Sequence, residues 1–136
     1  MGYSPDRLAE FTAHFHQGLG EWARAMETGD TARLEPEMAD EIVCYFGRAG
    51  VERMEVLRRE EIVAGMRSSV QALRGCRKRF ENVIIRMRSD EEAVVFFEQV
   101  VERADQVLAR LFTIETYRRD RGRWLCVREV AEHTGA

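Results

Sequence analysis

The chain has only three cysteines, Cys44, Cys76 and Cys126, and no two of them form a CxxC pair. An odd count at wide spacing argues against a disulfide framework or a zinc site and fits a reducing compartment. Long apolar runs are missing as well. None approaches the roughly 18 residues that a membrane-spanning helix needs. The opening MGYSPDRLAEF lacks the basic start and apolar centre of a secretory signal, and Asp6 stands where N-myristoylation requires Ser or Thr. Charge of one sign is scarce. Twenty-one basic and 24 acidic side chains leave a net charge of −3, too small to point to nucleic acid or an anionic membrane surface. Lysine is nearly absent, Lys78 being the only one among the arginines, a bias read as genomic composition rather than a task. The expectation is a cytoplasmic protein with neither nucleic-acid nor membrane partners.

What remains is a globular composition, 45% hydrophobic and 33% charged, and 136 residues suffice for one domain over 1–136 with its own core. The strongest pattern lies in the last third. AVVFFEQVVER, VLARLFTIETYRR and RWLCVREVAEH are rich in Val, Ile, Phe, Tyr, Thr and Trp and read as three antiparallel strands. Ala104-Asp105 and Asp120-Arg121-Gly122 join them. KRFENVIIRM precedes them as a fourth strand, with a hairpin turn at 89–92.

Upstream, Ser4-Pro5-Asp6 starts a long helix whose Leu8, Phe11, Phe15, Leu19, Trp22 and Met26 form one apolar stripe. Gly18 and Gly20 within it suggest a bend or a close contact. Thr28-Gly29-Asp30 ends it. A shorter helix is expected over Thr31–Met38, a short strand over Glu41–Gly47, a turn at 48–50 and an extended return over Val51–Leu57. A further helix runs from Glu60 to about Leu73, stopped by Gly75.

Helices early and strands late predict an α+β fold. A strongly curved antiparallel sheet carries the N-terminal helices on its concave face and leaves a cone-shaped central pocket. Apolar residues on both sides of one strand (Val94, Phe96 and Val100 against Val95, Phe97 and Val101) predict a homodimer packed through the outer sheet face.

This order of elements resembles the nuclear-transport-factor-2-like superfamily, the cystatin-like α+β cone, and in particular its SnoaL-like branch. The opening helix ending WARAMETGD, the segment MADEIVCYFG and the closing hairpin ETYRRDRGRWLCVREVAEH carry the likeness, which covers nearly the whole chain. It implies a small-molecule pocket protein acting on an apolar substrate by acid/base chemistry. Such an enzyme would be of isomerase, cyclase or hydrolase/lyase type, with no cofactor and no metal. The alternative is a non-catalytic ligand-binding or dimerisation module of the same fold. Steroid-isomerase-like members carry a tyrosine acid near the position of Trp22 and an aspartate base where this chain has Cys44-Tyr45-Phe46. Neither group is present here. SnoaL-like cyclases use a carboxylate from the late strands, for which the likeness offers Glu98, Glu115 and Glu129.

The residues themselves support several readings. Glu98 interrupts the apolar run VVFFEQVV, where a carboxylate would have the raised pKa of a general acid, unless strand alternation turns it outward. Glu115 and Glu129 depend on hairpin register. A two-residue turn at Arg121-Gly122 sets Glu115 opposite Arg128, on the face of Tyr117, Trp124 and Cys126. A three-residue turn groups it with Leu125, Val127 and Glu129. Tyr45 and Tyr117 are candidate phenol donors, and Phe15, Trp22, Met66, Phe97 and Phe112 candidate pocket walls. His14 and His16 point to nearly opposite sides of a helix and do not chelate one metal. Cys126 reads as a small buried hydrophobe. Arg77-Lys78-Arg79 and the arginines at 118–123 read as a solvated sheet edge and a hairpin tip.

Overall fold

Serine at position 4 does what its place before Pro5 suggests: its Oγ accepts the Arg7 N–H at 3.1 Å, and helix α1 runs from Pro5 to Thr28. The computed structural model describes residues 2–48 and 51–134. Gly29 closes α1 at φ +81°, donating its N–H to Ala25 at 2.7 Å. The helix continues through Gly18 and Gly20. A Cβ at either would meet nothing within 4 Å, so the expected close contact is not there.

The expected second helix shrinks to one 3-10 turn, Glu35–Glu37. Pro36 has no N–H to continue it, and Asp30 ties the preceding chain into a side-chain turn by accepting the Ala32 N–H at 2.9 Å. The remaining elements are β1 (Met38–Arg48), β2 (Val51–Arg58), α2 (Arg59–Ala72), β3 (Arg77–Ser89), β4 (Glu92–Arg103), β5 (Gln106–Asp120) and β6 (Arg123–His133). The turn expected between β1 and β2 falls on residues 49 and 50, outside the described residues. No helix among the described residues is long and apolar enough to cross a membrane.

The six strands form one curved sheet in the order β2-β1-β6-β5-β4-β3. Neighbours are antiparallel except β1 and β6, which run parallel because the whole domain, not a hairpin, connects them. Helix α1 lies across one face. Its Phe11 and Phe15 pack on Ala93, Val95, Phe97 and Trp124, all at most 3% exposed. A second cluster joins Ala25, Met26 and Leu34 to Met66 and Val70 of α2 and to Cys76 and Val101. A hollow is left between these two clusters.

Two β-bulges decide which side chains face it. At Asn82, with φ +55°, β3 gains one residue against β4. Before the bulge Lys78 and Phe80 face the helix; after it Val83, Ile85 and Met87 do. In β6, Val127 is the extra residue. Trp124 and Cys126 face inward before it, Glu129 and Ala131 after it.

Candidate functional site: a carboxylate pair in the helix-covered hollow

The hollow is a cavity of about 490 Å³ roofed by α1 and floored by β3 to β6. Strand β5 contributes Glu115 and Tyr117, and β6 contributes Cys126 and Glu129. The loop between β5 and β6 is a two-residue turn, Arg121-Gly122, with φ of +53° and +76°. Uniform pairing from that turn would set Glu115 opposite Arg128. The Val127 bulge slides the ladder by one residue, so that Glu115 faces Glu129 instead. The turn is thus the shorter of the two expected, while the two glutamates are neighbours as only the longer one would have made them. Cys126 supports the bulge, its Sγ–H donating to the Arg128 carbonyl at 3.5 Å.

Two adjacent carboxylates drawn out of bulk solvent cannot both ionise cheaply. Burial first, then the hydrogen bond and charge of Glu129, pushes Glu115 well above the usual carboxylate range; the Tyr117 hydroxyl and the Lys78 ammonium pull the other way. Tyr117 donates its O–H to Glu115 Oε1 at 2.7 Å. Burial and then the Glu115 charge raise the phenol itself, so it stays protonated. Cys126 is also driven upward, by burial and then by the two glutamates, and remains a thiol. Cys44, pushed to about 11 by burial, is no nucleophile either.

The other walls are aromatic and amide. Phe15 and Trp22 come from α1, Phe80 from β3, and Phe97 and Gln99 from β4. Gln99 is held by donating to Thr113 Oγ1 at 2.9 Å. Lys78 reaches in from β3, its Nζ 4.5 Å from the Trp22 ring centroid. At the mouth, His14 Nε2 lies 3.9 Å from Glu37 Oε2, and burial lowers its pKa against the pull of Glu37 and Glu10. The hollow therefore offers the Glu115 carboxyl, the adjacent Glu129 side chain, a phenol and a lysine amine, set beside aromatic surfaces. That set can transfer protons to and from a bound oxygen or carbon acid.

Of the residues singled out in the sequence, Glu115, Glu129, Tyr117, Phe15, Trp22 and Phe97 line this cavity. Four do not. Glu98 is on the outer face, paired with Glu81 and Phe112 across the ladder and accepting from Asn82 Nδ2 at 2.6 Å. Phe112 shares that face and is 39% exposed. Tyr45 points outward beside Val130 in the ladder and near Glu52, because its neighbour Cys44 takes the inner side next to Glu129. Met66 belongs to the cluster beneath α2.

Among the lining residues that the sequence reading did not place in the pocket are two titratable groups, Lys78 and His14. Lys78 stands between Arg77 and Arg79 in the sequence, yet it alternates with inward Phe80 and is the only lysine. His14 lies one turn from Phe11 and beside Phe15 on the apolar stripe.

No family model matches this chain, and no curated protein sequence matches it. Solved structures do match. A protein of unknown function with a cystatin-like fold from Nostoc punctiforme is 16% identical, with a TM-score of 0.74 over 100% of this chain and 97% of that one. An NTF2-like protein of unknown function from Pseudomonas putida is 17% identical, with a TM-score of 0.72 over 96% and 89%. A provisionally assigned dehydratase of the NTF2-like family from Streptomyces avermitilis is 15% identical, with a TM-score of 0.67 over 90% and 94%. At such identities the likeness concerns the backbone. With α1 laid across a curved six-stranded sheet and a hollow between them, the chain has the cystatin-like, NTF2-like fold.

Proposed function

We propose that this protein is a SnoaL-like acid/base enzyme that acts on an apolar small molecule bearing an oxygen function, by isomerase, cyclase or lyase chemistry. One observation carries the reading: Glu115 and Glu129 face each other in a cavity that Phe15, Trp22, Phe80 and Phe97 also line. As a purely structural device such a pair is costly, since neighbouring like charges repel and burial penalises an ionised Glu115. As a catalyst it holds a proton between two oxygens, ready to give to a substrate oxygen while a second carboxylate oxygen takes one from carbon or hydroxyl. Tyr117 orients Glu115 through their hydrogen bond. Aromatic walls from Phe15, Trp22 and Phe97 select an apolar body. The dehydratase assignment of the Streptomyces neighbour belongs to the same chemical class. No cofactor is needed, because both proton-transfer groups belong to the chain.

A homodimer through the outer sheet face is part of this proposal, supported by Ile84 at 46% and Phe112 at 39% exposure on that face. So is a cytoplasmic location, supported by three free cysteines.

A thermal-shift panel of apolar ketones, polyketide-like aromatics, steroids and epoxides tests the reading. A ligand at a hundred times its Kd raises stability by about 2.7 kcal/mol. Turnover of the hit should then fall by roughly 10²–10⁴ in Glu115→Gln or Glu129→Gln. Binding with no turnover by the unaltered protein would leave the non-catalytic module as the better description.

A further inference from the structure

We propose that Lys78 is a covalent site in this cavity, its amine condensing with an aldehyde or ketone group of an apolar ligand to form an imine. The inference rests on the acid/base reading of the same cavity and adds a substrate class, carbonyl compounds, to it.

Placement carries the argument. Three basic residues stand together in β3, and their fates differ. Arg77 and Arg79 turn to the outer side, where both meet Glu102, at 3.9 and 3.1 Å. Lys78 turns inward, because it precedes the Asn82 bulge and keeps the parity of Phe80. Its Nζ makes no hydrogen bond and no ion pair within 4 Å among the described residues. It lies instead over two rings, 4.5 Å from the Trp22 centroid and 5.9 Å from that of Phe80. The Trp22 face attracts the ammonium form, but no acceptor oxygen among the described residues fixes the half-buried amine as a structural ion pair. The amine is well placed as a nucleophile, a role that an arginine cannot fill.

Acidity agrees with the geometry. Burial lowers the Lys78 pKa, against the opposing charges of Glu129 and Glu115. An ordinary lysine keeps only about one amine in 10³ neutral at pH 7; a lowered pKa enlarges that fraction.

The step also balances. The Lys78 nitrogen attacks the carbonyl carbon, a C–N bond forms, and the C=O π pair moves to oxygen, which takes a proton. The resulting carbinolamine loses its hydroxyl as water after a second protonation, and the nitrogen releases its protons to leave C=N. One water is the net product and no oxidant is required. The Glu115–Glu129 pair faces the same space and can deliver and recover these protons.

Reductive trapping provides the test. The purified protein is incubated at pH 7 with 2-naphthaldehyde and sodium cyanoborohydride, and adducts are located by intact mass and peptide mapping. With one lysine in the chain, the α-amino group is the only competing primary amine. The expected result is one adduct per chain on Lys78, formed at least tenfold faster than on the α-amino group and lost when the protein is unfolded in urea. Lys78→Arg, which keeps the charge, should leave only α-amino labelling. An adduct on the α-amino group alone, or Lys78 labelling no faster than in the unfolded chain, overturns the inference. A thermal shift with 2-naphthalenemethanol, the matched alcohol, separates the two readings. A shift without a Lys78 adduct removes the imine and leaves the acid/base cavity standing. Neither shift nor adduct counts against both.

Discussion

Glu115 is the residue at which burial and charge conflict most directly. Its pKa in the folded chain lies well above that of the same side chain in the unfolded one, chiefly because the hollow desolvates it. Between those two values the folded state binds more protons than the unfolded state, so stability falls as pH rises through that window. Glu115→Gln removes the ionisable group and keeps its shape. The variant should therefore gain Tm over the unaltered protein at pH 8 relative to pH 5. Parallel Tm profiles across that range would show that the carboxyl is not held protonated. The glycines of α1 give a second prediction at this scale. Gly20 is exposed and a Cβ there meets nothing within 4 Å, so Gly20→Ala should stabilise the fold by about 1 kcal/mol in denaturant titrations. Gly18→Ala has the same room, but its methyl enters the cavity wall and should weaken ligand binding as well.

The hairpins and bulges act at the scale of elements. Both late turns place two residues at positive φ, Ala104-Asp105 at +48° and +65° and Arg121-Gly122 at +53° and +76°. Only Gly122 adopts that region without strain. Replacing Ala104-Asp105 by Asn-Gly, the pair that such turns favour, should raise stability by roughly 0.5–1 kcal/mol in urea unfolding, and Gly122→Ala should lower it by about 1 kcal/mol. The β6 bulge matters more for the site than either turn. Without Val127 as an extra residue, Glu115 would face Arg128, a cross-strand ion pair of ordinary kind, and Glu129 would leave the cavity. Alternation along each strand was legible in the sequence, and so was the place of the β5–β6 turn, though its length stayed open between two and three residues. The bulge was not, because nothing in CVRE distinguishes an unpaired residue from a paired one. For the same reason Asn82 concealed that Lys78 faces inward; its own tendency toward positive φ was the available signal.

For the molecule as a whole, the sheet has two apolar faces and one helical cover. Helix α1 covers the inner face. The outer face keeps Phe96, Ile84, Phe112 and Ile114 together across β3, β4 and β5. A second copy packed there would bury them. Sedimentation at micromolar concentration should give a dimer, and Phe112→Glu should shift it to monomer while the Glu115 thermal profile is kept; a monomer in the unaltered protein would defeat the expectation.

Composition and periodicity alone determined the order of elements, the α+β class, the apolar stripe of α1 and the strand-forming character of the last third. Those follow from local physics: capping at Ser4, a spacing of three and four along the helix, and branched and aromatic residues alternating along strands. Tertiary structure alone decided which carboxylates meet. Glu98 and Glu115 have the same kind of surroundings in sequence, each an acid within an apolar strand. Their faces differ because side-chain parity is set by ladder register, and register is set jointly by turns, bulges and partner strands far away in the chain.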